Sequence, residues 1–107
     1  MQESKNFYGG FFISREQLQE AGIPYPIQLE YYKVTQSDNL GESPTTYGVQ
    51  VVKKEYEQGR INIESKIKNN ITSDEIYANQ LIDILHKNQV TPMGLEDVIE
   101  DLLKNII

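Results

Sequence analysis

RINIESKIK, residues 60–68, running on into NNITSDEIYANQLIDILHK, residues 69–87, decides how this chain folds. In the first part Ile61, Ile63 and Ile67 alternate with Asn62, Glu64, Lys66 and Lys68. Alternation of that kind marks a strand with one apolar side and one wet, charged side. After Thr72 the period lengthens. Tyr77, Ala78, Leu81, Ile82, Ile84 and Leu85 fall on one arc of a helix. Thr72-Ser73-Asp74-Glu75 reads as a capping box with Thr72 as N-cap, and Ile71 and Ile76 stand at the positions of a hydrophobic staple. The expectation is a strand over about 60–68 and a helix over about 73–87.

Working upstream, Gln58-Gly59 is a tight turn, and Thr46 to Glu57 reads as a strand with Tyr47, Val49 and Val51 on one side and Val52 and Tyr56 on the other. The short connection makes these two strands an antiparallel hairpin. Ser37 to Pro44 has loop composition. Before it, Ile27, Leu29 and Tyr31 alternate with Gln28, Glu30 and Tyr32 in a strand over about 27–36. Ser14-Arg15-Glu16-Gln17 is a second capping box, which predicts a short helix over about 15–21, stopped by Gly22 and Pro24. Residues 1–13 carry Phe7, Tyr8, Phe11 and Phe12 around Gly9-Gly10 and read as a flexible aromatic and glycine-rich segment ahead of a single domain over 14–107.

Downstream, Thr91-Pro92 restarts a helix, with Thr91 as N-cap and Pro92 in the first turn. Leu95, Val98, Ile99, Leu102, Leu103 and Ile106 line one side of a helix over about 92–105, and Glu96, Asp97, Glu100 and Asp101 line the other. Strands followed by helices give an α+β order. The predicted fold is a three-stranded antiparallel meander covered on one face by the two C-terminal helices, both packed against Ile61, Ile63 and Ile67.

The chain has 107 residues and 38% apolar residues, enough for one domain with one core. It has no cysteine and one histidine, which removes disulfides, thiolate chemistry and multi-histidine metal sites. No stretch reaches the length of a membrane span, and Met1–Asn6 is polar, so neither an anchor nor a signal peptide is expected and the protein is placed in the cytoplasm. Net charge is −6, and residues 74–107 hold seven acids against two bases. An acidic surface repels phosphate backbones, so direct nucleic-acid binding is disfavoured.

The residues able to carry chemistry are few. His86 lies three residues after Asp83 and reads as a solvated helix residue rather than a general base. Gly9-Gly10 lacks the Lys and Ser/Thr of a phosphate loop, and Ser14 lacks a nucleophile elbow. The carboxylates Glu96, Asp97, Glu100 and Asp101 share one helix side and do not surround a cation from several directions. No catalytic residue, cofactor or metal ligand is assigned. Phe7, Tyr8, Phe11 and Phe12, together with Glu96, Asp97, Glu100 and Asp101, are the candidate partner-binding residues. Tyr32, Val52 and Tyr56 add to the first group if they share the sheet's second face.

Leu29-Glu30-Tyr31-Tyr32, Thr46-Tyr47-Gly48-Val49 and Asn88-Gln89-Val90-Thr91-Pro92 running into Leu95-Glu96-Asp97-Val98-Ile99-Glu100-Asp101 resemble a family of unknown function, small acidic proteins of clostridial and related spore-forming Firmicutes. The resemblance implies a sheet followed by two helices and implies no activity. Gly94 departs from it by weakening the first turn of the last helix. A shorter likeness at Phe12–Leu18 and Ala21-Gly22-Ile23 is to swapped-hairpin transition-state regulators and antitoxins, which bind DNA as dimers. The functional expectation is a non-enzymatic intracellular regulatory or adaptor protein, monomeric or homodimeric, that binds another protein. A nucleic-acid-related role, as acidic mimic or dimeric reader, and a small-molecule-binding domain are the alternatives.

Overall fold

The computed structural model describes residues 2–13, 26–38, 40–41 and 43–104. They form strands β1 (Gln2–Ile13), β2 (Ile27–Ser37), β3 (Thr46–Glu57) and β4 (Arg60–Thr72), helix α1 (Glu75–Lys87), a 3₁₀ turn over Pro92–Gly94, and helix α2 (Leu95–Lys104). The sheet is antiparallel throughout, in the order β1-β2-β3-β4. The class is α+β, but the meander has four strands, not three. The added strand is the Gln2–Ile13 stretch, which pairs with β2 from Gln2↔Ser37 to Ile13↔Ile27. The helix expected over 15–21 lies outside the described residues.

The helices cover the face opposite to the one expected. The buried core joins Ile27, Leu29 and Tyr31 of β2 and Val49 and Val51 of β3 to Leu81, Ile82, Leu85, Val90, Leu95 and Ile99. Ile61, Ile63 and Ile67 are exposed. The cause is the hairpin turn. Gly59 adopts a positive φ of 74°, which glycine takes without strain. The turn sets Glu57 opposite Arg60, so Tyr56 pairs with Ile61, Lys54 with Ile63 and Val52 with Ser65. Paired residues share a face. Ile61 and Ile63 therefore stand with Val52 and Tyr56, whereas Lys66 and Lys68 stand with Val51 and Val49. Lys68 confirms this side of the sheet by reaching Glu96 of α2 at 3.6 Å. The helices take the Val49/Val51 side because β2 adds Ile27, Leu29 and Tyr31 to it, a broader apolar area than β4 offers alone.

α1 begins two residues later than expected. Its N-cap is Asp74, whose carboxylate accepts from the main-chain N–H of Ile76 at 3.0 Å and of Tyr77 at 3.3 Å. Thr72 still ends β4, and its hydroxyl accepts from the Asp74 N–H. The other end of α1 closes in a Schellman arrangement. The Gln89 N–H bonds to the His86 carbonyl and the Val90 N–H to the Leu85 carbonyl, with Gln89 at φ 53°. Val90 supplies the accompanying buried apolar contact. A side chain in this left-handed conformation costs about 1–2 kcal/mol, part of which the greater unfolded-state freedom of glycine offsets. Gln89→Gly is therefore expected to stabilise the domain by about 0.5–1 kcal/mol, read as a rise of a few degrees in the thermal midpoint. An unchanged or lowered midpoint would contradict this account of the helix end.

Candidate functional site

The four aromatics of β1 do not form one patch. A bulge between Phe7 and Gly9, together with the strand's alternation, sends Tyr8 and Phe11 towards the helices and Phe7 and Phe12 to the opposite, open face. On the helix side the Tyr8 hydroxyl donates to the Asp83 carboxylate at 2.9 Å, with the Asn79 carbonyl 3.2 Å away. Burial raises the Tyr8 phenol above its usual pKa, and the neighbouring Asp83 charge adds to the shift. Phe11 stacks on the His86 imidazole with ring centroids 4.3 Å apart, and Tyr31 meets the same ring edge-on at 5.5 Å. His86 Nε2 lies 3.3 Å from the Gly10 carbonyl. A Cβ on Gly9 would come within 3.2 Å of that nitrogen, so glycine leaves the space the imidazole fills.

The reading of His86 as a solvated helix residue is thus corrected. It is half-buried, its ring on α1 lying against Phe11 and Tyr31 of the β1–β2 pair, and Asp83, the carboxylate three residues before it, serves Tyr8 instead. These contacts bind β1 to the domain. They leave the imidazole among the Phe11 and Tyr31 rings and the Gly10 main-chain carbonyl.

The open face of the sheet is not covered by any described element. Its two outer strands are apolar: Phe7 and Phe12 on β1 are 61% and 62% exposed, and Ile61 and Ile63 on β4 are 57% and 63% exposed. Ile67 continues the β4 row. Phe7 meets Tyr32 edge-on at 5.6 Å, and Phe12 lies 6.4 Å from Tyr56. Its two middle strands carry a closed polar chain. Tyr56 Oη donates to Gln28 Oε1 at 2.6 Å, Gln28 Nε2 donates to Glu30 Oε2 at 3.4 Å, and Glu30 Oε1 takes Lys54 Nζ at 3.1 Å. Glu30 raises the Lys54 ammonium by hydrogen bonding and charge. Tyr32 is raised first by burial and then by the Glu30 charge. Polar groups already paired with one another can be covered by a partner without being orphaned, so this face tolerates desolvation better than an unpaired one.

A model of a family of unknown function, DUF6514, matches residues 12–105. The chain belongs to this family. No curated protein and no solved structure matches it. The DUF6514 match takes in Phe12, the whole of β2, β3 and β4, and both helices, and so includes every open-face residue named above except Phe7. Tyr8 and Phe11, the two aromatics that dock under α1, precede it.

The acidic candidates sit elsewhere. Glu96, Asp97, Glu100 and Asp101 are exposed on α2, in the helix layer, on the far side of the sheet from Phe7 and Phe12. The two surfaces singled out in the sequence are therefore separate and cannot clasp one ligand. Glu96 is drawn to Lys68, and among the described residues no three His, Asp or Glu side chains gather as cation ligands would. No helix among them is long and apolar enough to cross a membrane. The residues missed as surface are Ile61, Ile63 and Ile67, assigned above to the core. The two-residue turn at Gln58-Gly59 held the signal, since its register alone places them beside Val52 and Tyr56.

Proposed function

We propose that this DUF6514 protein is a non-enzymatic regulatory or adaptor protein of the cytoplasm that docks a partner protein on the open face of its sheet. The observation that carries this reading is the exposure of Phe7, Phe12, Ile61 and Ile63 on one side of a sheet whose other side is layered by helices. Large apolar side chains left exposed on one face, here as two rows flanking a paired polar centre, mark partner surfaces. The chemistry of the face fits a partner that presents apolar side chains at its two flanks and small or polar groups over the Glu30–Lys54 pair. The absence of cysteine fits a reducing compartment. The acidic balance stands against direct nucleic-acid binding. The exposed carboxylates Asp97, Glu100 and Asp101, which pair with no described cation, favour a second reading in which α2 meets a basic partner.

Photo-crosslinking residues placed singly at Ile63 and at Glu100, in the native cell, separate the two. The expected result is one identified protein captured from position 63, absent from position 100, and lost when Ile61→Lys is added. Capture from position 100 alone would transfer the function to α2 and overturn the open-face reading.

A further inference from the structure

β4 is an edge strand, exposed from Arg60 to Asn70, and its register with β3 runs unbroken from Arg60 to Lys68. Long regular edges invite another strand, and proteins usually blunt them with charge or bulges. The other edge is blunted in this way: β1 carries a bulge at Phe7/Gly9 and adjacent glycines. β4 instead carries Glu64 and Lys66 at its middle, and neither makes an ion pair with a described residue. Their placement is self-complementary. Suppose two copies of β4 pair antiparallel about a two-fold axis through Ser65. Glu64 then faces Lys66 of the other copy, twice. Ile63 faces Ile67, also twice, and Asn62 faces Lys68. Opposite charges and β-branched apolar pairs directly across an antiparallel pair both stabilise it. The neighbouring registers fail: centring on Glu64 sets carboxylate against carboxylate and Arg60 against Lys68, and centring on Lys66 sets ammonium against ammonium. The same charges that repel a foreign strand therefore accept this one in a single register.

We infer that the protein forms a homodimer through β4, by antiparallel edge pairing centred on Ser65, giving one continuous sheet with all helices on one face. A two-fold axis perpendicular to the sheet keeps like faces together, so the two open faces merge into one surface with the Ile63–Ile67 pairs at its middle. This inference does not depend on the docking proposal. Edge pairing leaves most of the open face uncovered, and at position 63 a captured second copy reports the dimer whereas a captured different protein reports the docking.

The test is a charge exchange read by sedimentation equilibrium of the full chain. The wild-type protein is expected to be a dimer at micromolar concentration. Glu64→Lys and Lys66→Glu each replace two attractive contacts by two repulsive ones and should weaken dimerisation at least about tenfold. The double variant Glu64→Lys/Lys66→Glu restores opposite charges across the axis and should recover the dimer. In addition, Ser65→Cys in this cysteine-free chain should give a disulfide-linked dimer on mild oxidation, because residues directly opposite in an antiparallel pair are about 4.5–5.5 Å apart, within disulfide reach. Ser73→Cys, exposed but away from the axis, should link far more slowly. A wild-type monomer, a dimer indifferent to the single exchanges, or a double variant that stays dissociated while folded would each overturn the proposal.

Discussion

Replacing Gly48 by Ala is expected to destabilise the domain by about 3 kcal/mol or more, a large share of the stability of a domain this size. Gly48 is buried in β3, at the bulge between Tyr47 and Val49 where the register with β4 shifts. A Cβ at this position would collide with the Lys68 carbonyl oxygen and come within 2.9 Å of Asn69 Cα. Both obstacles are main chain and cannot rotate aside. Relief requires the end of β4 to move away, and that end is committed on every side. Asn70 is held at φ 56° with its side chain accepting from the Thr46 hydroxyl at 2.6 Å, Ile71 packs against the core, and Thr72 leads into the Asp74 cap of α1. Gly59→Ala is the control. Its Cβ meets nothing within 4 Å, and only the positive φ opposes it, so the loss there should be about 1 kcal/mol. Chemical denaturation of both variants checks the pair. Equal small losses would show that the β3–β4 contact at Gly48 yields easily.

The bounds of β2 and β3 and the hairpin turn are legible in the sequence because each depends on residues near one another in the chain. The helix expected from Pro92 instead opens as a 3₁₀ turn over Pro92–Gly94, without a side-chain cap from Thr91, and becomes α-helical only at Leu95. What is not legible depends on layers. β1 reads as a flexible segment because Gly9 and Gly10 weaken a strand and the bulge at Phe7/Gly9 breaks the alternation of its aromatics. Both glycines are accounted for only in the folded protein: His86 from α1 fills the space above Gly9, and a Cβ at Gly10 would meet the Leu29 carbonyl at 2.7 Å and the Phe7 ring at 3.6 Å. The contacts with His86 and Leu29, residues distant in the chain, leave no local trace.

The helix layer lies on the unexpected face for a different reason. The cleanest alternation in the chain belongs to β4, and clean alternation reads as the sign of a core face. An edge strand that pairs with another chain needs the same alternation, so the pattern distinguishes two sides without saying which one the helices cover. Register supplies the missing information, because a hairpin turn ties each residue of β4 to a named residue of β3. Counted outward from Glu57↔Arg60, it places Ile61 and Ile63 on the side of Tyr56 and Val52, away from Val49 and Val51.

Tyr31 is expected to make the domain alkali-sensitive between pH 10 and 12. Its side chain is fully buried in β2, and its hydroxyl donates to the Val90 carbonyl at 2.8 Å, joining the sheet to the link between α1 and the 3₁₀ turn. Burial pushes the phenol from its ordinary value of 10.0 up to about 12. The folded protein therefore holds this proton more tightly than the unfolded chain does. That contribution is fully present below pH 10 and is lost as pH rises through the folded value, by about 3 kcal/mol for a gap of two units. Tyr31→Phe removes the titration and leaves the Val90 carbonyl without its donor, which costs about 1–2 kcal/mol at neutral pH. The variant should thus be the less stable protein at pH 8 and the more stable one at pH 12. Urea unfolding across this range should show the two stability curves crossing between pH 10 and 12. Tyr8 and Tyr32, which are also raised, contribute equally to both curves and do not move the crossing. Parallel curves would mean that the phenol is not the group whose proton the folded core protects.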